Sequence, residues 1–292
     1  MNAARVLPSW NDGPAREALL EFVGSVAAPG SAYVPPAERV AAFDNDGTLW
    51  CEQPMYAQAD FVVRRFREMV RDDPDLAMRQ PYKAAAQGDI AWIQDIYAHE
   101  AELLQGLTEA FCGITADAFE AAARAFFTTA AHPTLGVPYT QTAYKPMREL
   151  VDLLTAHDFR VFICSTGGRD FMRVISDATY GIPRDRVIGS APILEYRDGN
   201  LYRTSAMEQP IADGPGKVVH IWARTGQFPL LAGGNSDGDM DMLACARLGL
   251  LLRHDDAERE TAYDAGSEQA LAIAAERGWT VVSMKRDFAT VF

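Results

Sequence analysis

Four short apolar runs, each ending abruptly in a polar cluster, constrain the fold of this chain more than any other feature. Val40–Phe43 ends in Asp44-Asn45-Asp46, and residues 159–164 end in Ser165-Thr166-Gly167-Gly168. Residues 228–232 end in Gly233-Gly234-Asn235-Ser236-Asp237, and residues 248–252 end in Arg253-His254-Asp255-Asp256. Apolar runs of this length without polar alternation suit strands buried on both faces, as in a parallel sheet. Helical patterns flank them, as at 146–156 and 216–224, and alternation of strand with helix implies helices on both faces of that sheet. In such sheets ligands bind at the carboxyl ends of the strands, where all four polar clusters fall. The expected class is α/β, with a Rossmann-like parallel sheet.

The rest of the chain fits around that frame. Asn11-Asp12-Gly13-Pro14 reads as the start of a helix with the apolar stripe Leu19, Leu20, Phe22, Val23 and Val26, ended by Pro29-Gly30. Residues 279–283 read as a last, edge strand. The segment between the first two strands is too long for a simple crossover and carries helical stretches at 57–71, 90–104 and 116–128. It reads as an inserted helical domain, 53–144, within a core of 1–52 and 145–292.

With 40 acidic against 27 basic residues the formal net charge is −13, a surface that repels phosphate backbones and anionic membranes. Nucleic acid and bilayer are therefore not expected partners, and a phosphorylated ligand needs a local positive site. Four cysteines, Cys51, Cys112, Cys164 and Cys245, show neither disulfide pairing nor zinc-ligand spacing. The first residues lack the apolar centre of a secretory signal, and no apolar run approaches the roughly 18 residues of a membrane span. A cytoplasmic location is expected.

The segment Phe43-Asp44-Asn45-Asp46-Gly47-Thr48-Leu49 carries the most specific chemistry. Two carboxylates two residues apart at a strand end point the same way, so one can attack phosphorus while the other handles the leaving-group proton, given a cation to neutralise both. Alone the segment also reads as an Asx-rich turn. An EF-hand is excluded, because aligning Gly47 with that loop's glycine puts Ala42 at the first ligand position and Gln53 at the last.

The strand followed by this loop resembles the first motif of the haloacid dehalogenase-like superfamily. Ser165 in Ser165-Thr166-Gly167-Gly168 resembles its second motif. Lys217 resembles the lysine of the third, and Gly234-Asn235-Ser236-Asp237-Gly238-Asp239-Met240-Asp241 the acidic fourth. Taken alone, Ser165 has a helix cap as its alternative reading, and Lys217 reads as a solvated residue after a Gly-Pro-Gly turn. It is four motifs in order that carry the resemblance, and the insertion is similar to the helical cap of the phosphoserine-phosphatase-like subgroup.

The resemblance implies a Mg²⁺-dependent phosphatase of a small phosphorylated metabolite. Asp44 would be the nucleophile and a metal ligand, and Asp46 the general acid and base, its backbone carbonyl touching the metal. Thr48 would hold the loop; Ser165, with N–H groups around Thr166 and Gly167, and Lys217 would bind the phosphoryl group. Asn235 and Asp239 would complete the metal site. Here the fourth motif departs from the commonest pattern, having Asn235 where many relatives have Asp, and leaves Asn235 and Asp237 as alternative ligands. Asp239 is also a candidate to support Lys217, and Asp241 to sit at a helix N-terminus. The superfamily also contains phosphotransferases and mutases, and a catalytically silent binding protein of the same fold is the alternative from another class. A dehalogenase would need neither Asp46 nor a metal.

Trp50, Tyr56, Trp92 and Tyr139 read as core ahead of pocket lining. Glu52 and Arg169 are candidates for contact with a substrate headgroup. The subgroup's cap-side glutamate lies one residue away from the spacing of Glu52. His132 and His254 belong to no motif and read as structural.

Overall fold

The computed structural model describes residues 6–95 and 98–292. Its strands are β1 (Val40–Phe43), β2 (Arg160–Gly168), β3 (Val187–Ser190), β4 (Pro192–Arg197), β5 (Asn200–Met207), β6 (Leu231–Gly234), β7 (Leu248–Arg253) and β8 (Thr280–Ser283). Six of them form one sheet in the order β3-β2-β1-β6-β7-β8, and every pairing in it is parallel. With helices flanking it, the sheet is the Rossmann-like α/β class expected. The continuous burial of β1 and β6 explains their unbroken apolar sequence: both faces are covered, so no position faces water. On one side Ile221, Met242, Leu243, Ala270 and Ala274 pack against Val40, Phe162, Ala232 and Leu251.

Strand order sets the location of the site. From β1 the chain moves outward to β2 and β3, then returns to β6 on the opposite side of β1 and continues outward to β8. The reversal lies beside β1, and the crevice at such a switch point is where open α/β sheets bind ligands. Phe43 is in register with Ile163 of β2 and Gly233 of β6, so Asp44, Cys164 and Gly234 stand level at one end of β1 on three adjacent strands, although β2 runs on to Gly168, through residues the sequence reading placed beyond the strand.

The chain divides into two units. One comprises the described residues up to Gln53 with Thr140–Ser190 and Gln209–Phe292; the other comprises Pro54–Tyr139 and Ala191–Glu208. The second unit holds the expected helices, Ala57–Asp72 and Ala116–Thr129 among them. The single helix expected over 90–104 is two, Ile90–Gln94 and Glu100–Phe111. Residues 96 and 97 lie outside the described part.

The second unit also contains something the sequence reading lacked, the antiparallel hairpin of β4 and β5. Asp198 and Gly199 turn the hairpin with φ of 51° and 80°, the left-handed pair that a two-residue turn needs. Thr115 bridges Tyr202, and the Arg203 guanidinium lies 3.9 Å above the Phe119 ring, which ties the hairpin to helix Ala116–Thr129. The inserted unit is thus built from two stretches of chain, whereas the expectation was 53–144 alone.

Candidate active site

The loop after β1 is shaped by its own backbone and tied by side chains around it. The Asn45 carbonyl accepts the N–H groups of Thr48, Leu49 and Trp50, and Gly47 N–H donates to the Trp50 carbonyl at 2.9 Å. Gly47 takes φ +71°, and a Cβ there would lie 2.1 Å from Asn235 Nδ2 and 2.8 Å from the Glu52 carboxyl carbon. Glycine is therefore required twice, for conformation and for space. Gly47→Ala is expected to cost about 1–3 kcal/mol of stability and most of the activity. Chemical denaturation alongside a turnover assay measures both.

Around this loop the expected residues converge. Lys217 enters at the start of helix Pro215–Thr225 and is 1% exposed, so its ammonium is stripped of water and must be paired. Its Nζ lies 2.5 Å from Asp239 Oδ1 and 3.0 Å from Asp44 Oδ1. The second contact is the one interaction of Asp44 Oδ1 with a polar side chain among the described residues. Burial pulls the Lys217 pKa down, but Asp239 and Asp44 more than reverse this, so Lys217 stays charged.

Asp239 Oδ2 accepts three bonds, from Asn235 N–H, Ser236 N–H and Ser236 Oγ, at 2.9–3.0 Å. Its carboxylate is thus fully used as the counter-ion of Lys217 and the tie of the β6 loop. Asp239, expected among the metal ligands, meets Lys217 through Oδ1 and the β6 loop through Oδ2. Asp237 is engaged too: its carboxylate accepts the N–H groups of Gln269 and Ala270 at the start of helix Glu268–Arg277. Of the two alternatives in the fourth motif, Asn235 is the one that faces the loop. Its Oδ1 accepts Thr48 Oγ1 at 2.9 Å and its Nδ2 donates to Glu52 Oε1 at 3.3 Å.

Asp46 is half-buried, and its Oδ1 accepts the Trp50 indole N–H at 2.7 Å. Trp50 was read as core and is 1% exposed, yet its polar edge orients a candidate catalytic carboxyl. Burial raises the Asp46 pKa, against the pull of the Trp50 and Asn45 hydrogen bonds. Asp44 is raised to about 7, first by burial; Lys217 pulls it back, while Asp239 and Asp46 push it further up.

Ser165 is buried just beyond the Phe43–Ile163 register, and its Oγ accepts Gly167 N–H at 3.2 Å, curling the end of β2. Thr166 is exposed and turns its hydroxyl to Asp213 at 2.9 Å, so its side chain serves the loop before helix Pro215–Thr225. Of the headgroup candidates, Glu52 is bound within this cluster, by Asn235 and by the Tyr263 hydroxyl at 2.5 Å. Arg169 lies 3.4 Å from Asp170.

Oxygen donors rather than a side-chain cage are what a cation would find. Among the described residues, no group of three or more His, Cys, Asp or Glu side chains is arranged to hold a metal. The oxygens on hand are those of Asp44 after β1 and the Asn235 amide oxygen after β6, which meets Thr48 of the β1 loop, with the Asp46 carbonyl added by the family resemblance. Hard oxygens that few in number suit a cation that keeps several waters. The charge balance calls for one as well: Asp44, Asp46 and Asp239 gather around the single ammonium of Lys217. These residues fit a divalent ion.

A Rossmann-like sheet with an aspartate pair after its first strand and a buried lysine on a later helix defines a class of hydrolases. The model of the family described as haloacid dehalogenase-like hydrolase matches residues 41–244, and the chain belongs to that family. It matches no curated protein in sequence. Solved structures share its fold, among them two of unknown function. One, from Anaerococcus prevotii DSM 20548, is a conserved functionally unknown protein, 12% identical, with 94% of each chain covered and a TM-score of 0.63. The other, a protein with unknown function from Bordetella pertussis Tohama I, is 20% identical over 84% of this chain and 97% of its own, with a TM-score of 0.56.

Proposed function

We propose that the protein is a Mg²⁺-dependent phosphatase that hydrolyses a small phosphomonoester through an aspartyl-phosphate on Asp44. The observation that carries this reading is the Asp44–Lys217–Asp239 chain: a buried carboxylate oxygen with no neighbouring donor but an ammonium among the described residues, and that ammonium fixed in place by a second carboxylate. A nucleophile needs an open lone pair, and phosphoryl transfer needs fixed positive charge beside it.

In the first step an Asp44 oxygen forms a bond to phosphorus as the ester P–O bond breaks. Asp46, whose raised pKa favours its protonated form, delivers a proton to the departing alkoxide. In the second step Asp46, now a carboxylate, takes a proton from water. That water oxygen bonds to phosphorus, the bond to Asp44 breaks, and inorganic phosphate leaves. Lys217 faces the Asp44 oxygen throughout, and the N–H groups at Ser165–Gly167 are suited to the non-reacting phosphoryl oxygens. Asp44, the Asp46 carbonyl and Asn235 would hold Mg²⁺, which when bound would supply positive charge favouring the ionised form of Asp44.

Hydrolysis of an aryl phosphate that needs added Mg²⁺ is the expected result; inactivity with every divalent metal contradicts the proposal. A thermal-shift measurement reads the metal separately. A carboxylate whose pKa is higher in the folded than in the unfolded chain costs stability as pH climbs past its unfolded value. For Asp44 and Glu52 that window runs from ordinary values of 3.8 and 4.5 up to about 7. Mg²⁺ needs the ionised form, so it is expected to raise the melting midpoint more at pH 8 than at pH 5.5.

A further inference from the structure

His254 directly follows β7 and is buried. Its Nε2 lies 2.8 Å from the Gly47 carbonyl and its Nδ1 3.2 Å from Glu260 Oε2. A carbonyl only accepts, so Nε2 carries a proton. The other Glu260 oxygen accepts from the Tyr144 hydroxyl, which leaves Oε2 to accept from Nδ1. Both ring nitrogens then donate, which makes the ring an imidazolium.

The surroundings favour that charge. The Tyr263 ring stacks on the imidazole, with centroids 4.4 Å apart and planes at 17°, and its hydroxyl bonds Glu52. Tyr144 tilts over the ring at 6.1 Å. Among the described residues the titratable groups facing His254 are Glu260, Glu52, Tyr144 and Tyr263, with Cys51 beside Glu260, and none of these is cationic. Burial draws the His254 pKa down, and Glu260 and Glu52 more than restore it.

Gly47 is the residue between Asp46 and Thr48. Its N–H is held by the Trp50 carbonyl and its carbonyl by His254, so the left-handed turn is pinned at both ends. We propose that His254 is a positioning residue for phosphoryl transfer: braced by Glu260 as an imidazolium, it grips the Gly47 carbonyl and fixes the turn that aims Asp46 and Thr48. This rests on the phosphatase reading above. It assigns to the β7 loop a part in holding the nucleophile loop, through a backbone carbonyl rather than a substrate contact.

Two variants and one spectrum test it. His254→Leu keeps much of the volume and loses both donors; His254→Gln keeps an N–H at the reach of Nε2. With Mg²⁺ and an aryl phosphate, kcat is expected to fall about 10- to 100-fold in His254→Leu with KM nearly unchanged, and to recover most of that loss in His254→Gln. In the wild-type protein, ¹⁵N spectra of the imidazole at pH 7 are expected to show both nitrogens protonated. A folded His254→Leu with wild-type kcat, or a singly protonated ring, overturns the proposal. If His254→Leu does not fold, the spectrum and the near-normal kcat of His254→Gln decide, and a His254→Gln as impaired as a misfolded protein overturns it. A wild-type protein inert towards aryl phosphates under all metals overturns the phosphatase reading instead. The clamp then stands or falls on hydrogen exchange: lost protection at the Gly47 and Leu49 amides in a His254 variant supports it, and unchanged protection overturns it.

Discussion

Asp44→Asn is expected to lower Mg²⁺-dependent hydrolysis of an aryl phosphate by at least about 10⁴-fold while leaving the protein at least as stable as the parent at pH 8. The two halves of this expectation have one cause. Asparagine matches aspartate in shape but offers phosphorus no anionic oxygen. Burial lifts Asp44 to about 7, so ionising it at pH 8 works against the fold, and a neutral amide removes that penalty. Lys217 keeps its shorter contact, to Asp239, in the variant. A kinetic assay and a melting curve on the same sample separate loss of the nucleophile from loss of structure. A variant that is inactive because it is unfolded would not support the assignment.

Lys217→Met is expected to damage both properties. The ammonium is the only cation in contact with Asp44 and Asp239 among the described residues, and a methionine of similar reach leaves those carboxylates buried and unpaired. Breaking a buried pair in this way costs about 3–5 kcal/mol. Removing fixed charge from beside a transferring phosphoryl group lowers kcat by about 10²–10³-fold. The stability loss carries a pH signature. Without Lys217 the Asp44 pKa rises further, so its penalty grows from the unfolded value near 3.8 upward through neutrality. Denaturation midpoints of wild type and variant are expected to lie closer at pH 5 than at pH 8.

Much of the core was legible because buried parallel strands write themselves as short unbroken apolar runs. β1, β2, β6 and β7 follow that rule, and the edge strand at 280–283 was visible beside Trp279. β3 escaped because four residues, Val-Ile-Gly-Ser, follow an Arg-rich turn and offer neither length nor alternation. The hairpin of β4 and β5 escaped because most of its positions are partly or fully exposed, so no apolar run marks it. Its signal was present all the same, in Asp198-Gly199, a dipeptide that suits a two-residue turn.

In the proposed site, candidates marked by side-chain type and motif order were readable, and those that work through a backbone group were not. Asp44 and Asn235 follow strands β1 and β6, whereas Lys217 is picked out only by its place in the order of four motifs. The part of His254 depends on a carbonyl 207 positions away in sequence, and no local pattern reports such a partner. Trp50 was read as core for the same reason: its ring is buried, and only the direction of its N–H reveals that it bonds Asp46. Asp237 and Asp239 look alike in the sequence. They differ because one reaches a helix that starts at Glu268, while the other folds back on its own loop beneath Lys217.

The central claim is the covalent step at Asp44, and it is tested most directly by quenching the enzyme in acid during turnover of a phosphomonoester and mapping its peptides. A phosphate carried by the peptide containing Asp44, labile to hydroxylamine as an acyl phosphate is and missing from Asp44→Asn, is the predicted result. Turnover with no phosphate on that peptide, or with the label on a serine or histidine, would contradict it.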